Sequence, residues 1–182
     1  MKKIIILLSV ITAVFIVNDL SKEEVIIPKE SIRLRVIANS DSTEDQALKQ
    51  KVKEKLNKNI EELLTNSKNI EDTRMTLKKN IPLFENTINT TLKENNTNIG
   101  YDINYGENYF PEKNYKNVTY KEGNYESLVV KIGKGQGKNF WCVLFPPLCF
   151  IDEQQEKNKE VEYHLLVKDI LNKFSKNKIK EK

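Results

Sequence analysis

The dominant hydrophobic period of this chain shifts from helical to alternating near residue 98, and that change limits its fold more than any motif does. Before it, Leu48, Val52, Leu56, Ile60 and Leu63/Leu64 recur at helical spacing and make one apolar stripe. Asn39-Ser40-Asp41-Ser42 offers several N-caps ahead of that stripe, and Asp41 with Glu44 three residues on resembles a capping box. A second helical region opens near Asn69, where Glu71 and Asp72 suit the positive end of the helix dipole. Pro82 either kinks this region or starts a third helix, whose stripe is Phe84, Ile88 and Leu92.

After Asn95-Asn96-Thr97-Asn98 the apolar residues alternate instead, as Ile99, Tyr101, Ile103 and Tyr105. Residues 118–120, 125–132 and 140–145 read as further strands, the last stopped by Pro146-Pro147. Residues 31–38 alternate too, with Ile32, Leu34, Val36 and Ala38 on one face and Arg33, Arg35 and Ile37 on the other. Val161, Leu165/Leu166, Ile170 and Phe174 predict a terminal helix. Helices in one block and strands in another predict a single α+β domain. Its order is an N-terminal strand, then helices, then an antiparallel sheet or hairpin, then a C-terminal helix.

A length of 182 residues suits one domain, which we place at residues 31–172. The ends read differently. Lys2-Lys3 precedes an apolar run over residues 4–17 broken only by Ser9 and Thr12, the pattern of a secretory signal. No Ala-x-Ala pattern follows Val17, so residues 1–20 are a signal peptide or an uncleaved anchor, and residues 21–30 a polar linker. Residues 173–182 form a basic, disordered tail. The net charge is +4, of which +1 lies in residues 1–20 and +4 in the tail, leaving −1 for the body. A near-neutral body gives nucleic-acid binding little support. One His and two Cys cannot build a His-rich metal site or a large disulfide framework, and no cofactor is expected.

Candidate chemistry is sparse. Gly133-Lys134-Gly135-Gln136-Gly137-Lys138 resembles a phosphate-binding loop, but the spacing is wrong and a strand follows, so a hairpin turn is the better reading. His164 sits in a helical pattern with no adjacent catalytic partner. Asp41, Glu44 and Asp45 lie in the first turn of a helix, where capping explains them. No catalytic site emerges. Two features exceed an ordinary structural role. Only three Arg stand against 27 Lys, yet Arg33 and Arg35 share one face of one strand. A guanidinium fork makes bidentate contacts that Lys does not. Either they pair with helix carboxylates or they dock a partner. The second feature is the run from Trp141 to Phe150, too apolar for an ordinary exposed loop and therefore core or interface, with Trp141 and Phe145 as docking candidates. In a reducing compartment Cys142 and Cys149 would be buried thiols. After export they are the one intrachain pair the sequence allows, and Pro146-Pro147 turns the chain between them.

These residues carry a resemblance. Residues 32–49, Ile-Arg-Leu-Arg-Val-Ile-Ala-Asn-Ser-Asp-Ser followed by Glu-Asp-Gln-Ala-Leu-Lys, resemble the opening of the stage II sporulation protein R family. Tyr115-Lys116-Asn117-Val118-Thr119-Tyr120, Gly123-Asn124-Tyr125-Glu126 and residues 140–152 resemble its later blocks, so the likeness spans about residues 27–152. Phe140 stands where the family pattern has Trp, and Tyr115-Lys116 where it has Tyr-Gly. The resemblance implies a non-enzymatic protein made in the forespore and exported to the space between the two membranes. There it activates a membrane-embedded aspartic protease that processes pro-sigma E. On that reading the partner is the protease, not nucleic acid or a small-molecule substrate, with membrane contact through residues 4–17 if they are uncleaved. The alternative is an exported cell-envelope hydrolase using His164 or a carboxylate pair.

Overall fold

Alternation in residues 31–38 becomes a six-residue strand, and every side chain on its even-numbered face is sealed from solvent. The structure, a computed structural model, describes residues 25–115, 118–150 and 165–173. Elements in chain order are β1 (Val25–Ile26), β2 (Ile32–Ile37), α1 (Thr43–Leu64), α2 (Ile70–Lys79), α3 (Ile81–Glu94), β3 (Tyr101–Phe110), β4 (Lys113–Tyr115), β5 (Val118–Tyr120), β6 (Gly123–Ile132) and β7 (Asn139–Phe145). A 3-10 turn (Leu148–Phe150) follows, and residues 165–173 are helical. The expectations for residues 1–20, for His164, for the first part of the terminal helix and for the tail after Lys173 lie outside the described residues.

The fold is α+β. One mixed sheet has the order β3-β6-β2-β7, and a small sheet has the order β1-β5-β4. Ile32, Leu34 and Val36 pack with Val52, Leu56 and Ile60 of α1, Leu77 of α2 and Phe84, Ile88 and Leu92 of α3, joined by Leu128, Val130 and Ile132 of β6. The helical stripes therefore cover one face of the sheet. Pro82 lies at the start of α3, so it opens a third helix and does not kink the second. Ser42, not Asp41, caps α1, because its hydroxyl accepts from the Asp45 amide at 3.2 Å while Asp41 accepts from the Lys138 amide at 2.6 Å.

A second, smaller core joins Val25, Ile27, Val118, Val143, Leu148 and Val167. The stretch read as a polar linker thus contributes β1 from Val25 onward, since Val25 and Ile27 find apolar neighbours far along the chain. Pairing partners differ from the sequence expectation at one place. The glycine loop does not turn a hairpin: β6 runs parallel to β2 and β7 antiparallel to it, on opposite sides. The loop therefore crosses the end of β2, where the Gln136 and Gly137 amides donate to the Asn39 and Ala38 carbonyls at 3.1 and 2.9 Å. Gly133 and Gly135 take φ of 56° and 63°.

At Gly137 the constraint is space. An added Cβ would lie 2.1 Å from the Ser40 carbonyl oxygen, a backbone atom that cannot swing away. Gly137→Ala is expected to destabilise the fold by about 2–3 kcal/mol through forced overpacking. Urea denaturation checks it, and an unchanged midpoint would show that the crossing is looser than described.

Candidate functional site

Because β2 is a central strand with period-two alternation, its odd-numbered side chains emerge on the sheet face away from the helices. Arg33 and Arg35 lie there. Both reach aromatic rings. The Arg33 guanidinium carbon sits 3.3 Å from the centroid of Tyr125 of β6 and 5.2 Å from that of Phe110 at the end of β3. Arg35 lies 4.3 Å from the ring centroid of Trp141, its cross-strand partner on β7. Phe110 meets Tyr125 and Trp141 edge to face, at 6.1 and 5.1 Å. The result is a plate of three rings carrying two cations, an arrangement favoured by the rings' negative faces.

Arg33 is 2% exposed. Among the described residues its Nε and Nη2 have no hydrogen-bond partner, and neither has Nε of Arg35. Burial pulls the Arg33 guanidinium below its ordinary value, opposed by Tyr125 and Tyr120; burial does the same to Arg35. The pairing with helix carboxylates left open by the sequence is therefore not what these two arginines do. The arginine that holds a carboxylate is Arg74 of α2, which sequence reading did not single out, and the carboxylate is on a strand. Its Nε and Nη2 donate to the two oxygens of Glu126 on β6, at 2.7 and 2.8 Å, and the Tyr105 hydroxyl donates to the same carboxylate at 2.9 Å.

Beside the plate lies a cavity of about 410 Å³ that runs past the outer edge of β7. Its walls include Arg33, Phe110 and Trp141 on one side, Lys53 of α1 on the other, and Cys142 with Cys149 between. The two sulfurs are bonded, with Cα atoms 5.4 Å apart, the one pairing the sequence allows. Phe145 does not join this group; it packs against the helix-side core. Tyr125, Phe110, Lys53 and Lys113 escaped sequence reading. The crowding of six of seven Tyr between residues 101 and 125 marked the region but not the ring that matters. Asp45, one of the first-turn acids, is occupied locally: hydrogen bonds from Ser40 and Asn39 hold its carboxyl below the usual range. Among the described residues no group of three or more His, Cys, Asp and Glu is placed to hold a metal ion.

The Glu126 network yields a pH signature. Arg74, then Tyr105, hold the Glu126 carboxyl below its ordinary value of 4.5. A depressed carboxyl contributes stability above its unfolded value, and that contribution is lost as pH falls through the folded one. Glu126→Gln is expected to destabilise by about 1–2 kcal/mol near neutrality, a figure discounted for the pair's partial exposure. The gap between wild type and variant should close as pH falls below about 4.5. Thermal melts across pH 2.5–7 measure it, and a pH-independent gap would rule out the ion pair as its source.

Comparison with known proteins places this geometry. The sequence model of the family described as Stage II sporulation protein R matches residues 28–155. The Stage II sporulation protein R of Bacillus subtilis (strain 168) is 34% identical over 168 residues, which cover 87% of this chain and 75% of that protein. No solved structure matches the chain.

Proposed function

This chain belongs to the stage II sporulation protein R family, and from that premise we propose that it is an exported sporulation signal that activates the membrane-bound aspartic protease processing pro-sigma E. The observation that carries the reading is the ring plate. Two guanidinium groups are held against aromatic rings with N–H groups that find no partner among the described residues, an arrangement suited to gripping a partner that reaches the neighbouring cavity. The Cys142–Cys149 bond supports export, since such bonds persist in oxidising compartments. Activation follows if the chain binds the active state of the protease more tightly than the inactive one. Arg33, Arg35 and Trp141 are the docking residues.

Reconstitution tests the proposal. The chain, with and without residues 1–20, is added to membranes carrying the protease and the pro-sigma factor, and cleavage is followed. Cleavage that depends on the chain is the expected result, and cleavage at the same rate without it would sink the reading. His164→Ala should leave the rate unchanged, whereas an envelope hydrolase relying on that imidazole would lose ~10³-fold or more.

A further inference from the structure

Arg74 and Arg33 present the same two atoms in opposite states. Arg74 uses Nε and Nη2, the side edge of its fork, to hold both oxygens of Glu126. Arg33 leaves Nε and Nη2 unpaired while it is 2% exposed and lines the 410 Å³ cavity. A buried guanidinium with two unpaired N–H groups beside a cavity is a costly arrangement unless an anion completes it. The other cavity walls agree: Lys53 and Lys113 also line it, and none of its walls among the described residues is acidic. Phe110, Trp141 and Leu148 make the rest largely apolar.

We propose that this cavity is a carboxylate-binding site, and that its occupant is an acidic side chain of the partner protein entering beside an apolar neighbour. The proposal rests on the activator reading and names the chemistry by which the partner is gripped. The fork edge takes the two carboxylate oxygens, as it does in the Arg74–Glu126 pair, and the apolar walls take the neighbouring side chain. Lys113, exposed at the mouth, attracts the acid on approach.

Trp141 is the chain's single tryptophan and lines the cavity, so its fluorescence reports occupancy. The full-length chain is titrated with an acetylated, amidated peptide, Leu-Phe-Glu-Leu, and with its Leu-Phe-Gln-Leu counterpart. Saturable change with the Glu peptide, at least about tenfold weaker with the Gln peptide and with Arg33→Gln, is expected. Because Arg33→Gln alters a buried position, Lys113→Glu serves as the second variant: it should keep the wild-type melting temperature and weaken Glu-peptide binding severalfold. Equal affinity for both peptides, or no response in the wild type, would overturn the site. So would complete displacement by equimolar inorganic phosphate, which would mark a general anion pocket. A chain that triggers cleavage yet ignores the Glu peptide removes the carboxylate site and leaves the activator reading. Glu-peptide binding by a chain that triggers no cleavage keeps the site and removes that reading.

Discussion

Arg33→Met is expected to make the chain more stable, by about 1 kcal/mol or a rise of about 2–4 °C in melting temperature, while cutting protease activation at least tenfold. The sign is the point of the experiment. Arg33 is a desolvated cation with two N–H groups unpaired. Its contacts with Tyr125 and Phe110 return up to about 2 kcal/mol, less than the several that burying an ion costs. Methionine keeps the length, drops the charge and packs well against rings. A residue whose role is structural would behave oppositely, losing stability when replaced. Calorimetry and the cleavage assay on one preparation decide: lower stability with full activation would make Arg33 a core residue only. Arg33→Lys with Arg35→Lys separates charge from shape, because it keeps both cations and loses both forks. Full activity in that double variant would count against any geometric role.

Why was the burial of Arg33 hidden from the sequence? Period two put Arg33 opposite Ile32 and Leu34, and a charged residue on that face of a strand ordinarily meets water. What covers it comes from elsewhere in the chain: Phe110, Tyr125, and a second layer that includes Tyr120 and Leu166. No local pattern links those positions. The helical half was legible for the converse reason. The stripes of α1 and α3 and the alternation of β2 are local, and they met as expected around Leu34 and Leu56. Strand order was not local. The sequence marks residues 125–132 as a strand but does not say that it runs parallel to β2, and so the glycine loop reads as a hairpin and not as a crossing. Cys142 and Cys149 were legible because only one pair was available and a Pro-Pro turn lay between them.

Replacing both cysteines with Ser, or adding reductant to the wild type, is expected to destabilise the domain by about 2–3 kcal/mol, or a fall of roughly 5–10 °C, and to weaken activation. In the chain-entropy picture most of this comes from freeing the unfolded chain across a short loop, since the bridged residues are 7 apart in sequence. The native state also loses something specific. Cys142 sits on edge strand β7 and Cys149 in the 3-10 turn, which carries Leu148 into the second core. Untied, that turn is held by Leu148 and its neighbours alone, and the cavity wall next to Trp141 loses its fixed position. β7 is the edge strand of its sheet, so on that side fraying meets no neighbouring strand among the described residues. The double Ser variant provides the control, because reductant should shift the wild-type melt onto its curve and leave its own melt unmoved. On the proposed reading, export should be the same in all samples, since the bridge would form only after the chain had crossed the membrane. Alkylation of exported, active protein without prior reduction completes the measurement: thiols that react at both positions would remove the bridge from the active form, and the packing of Leu148 and Phe150 would then hold the turn.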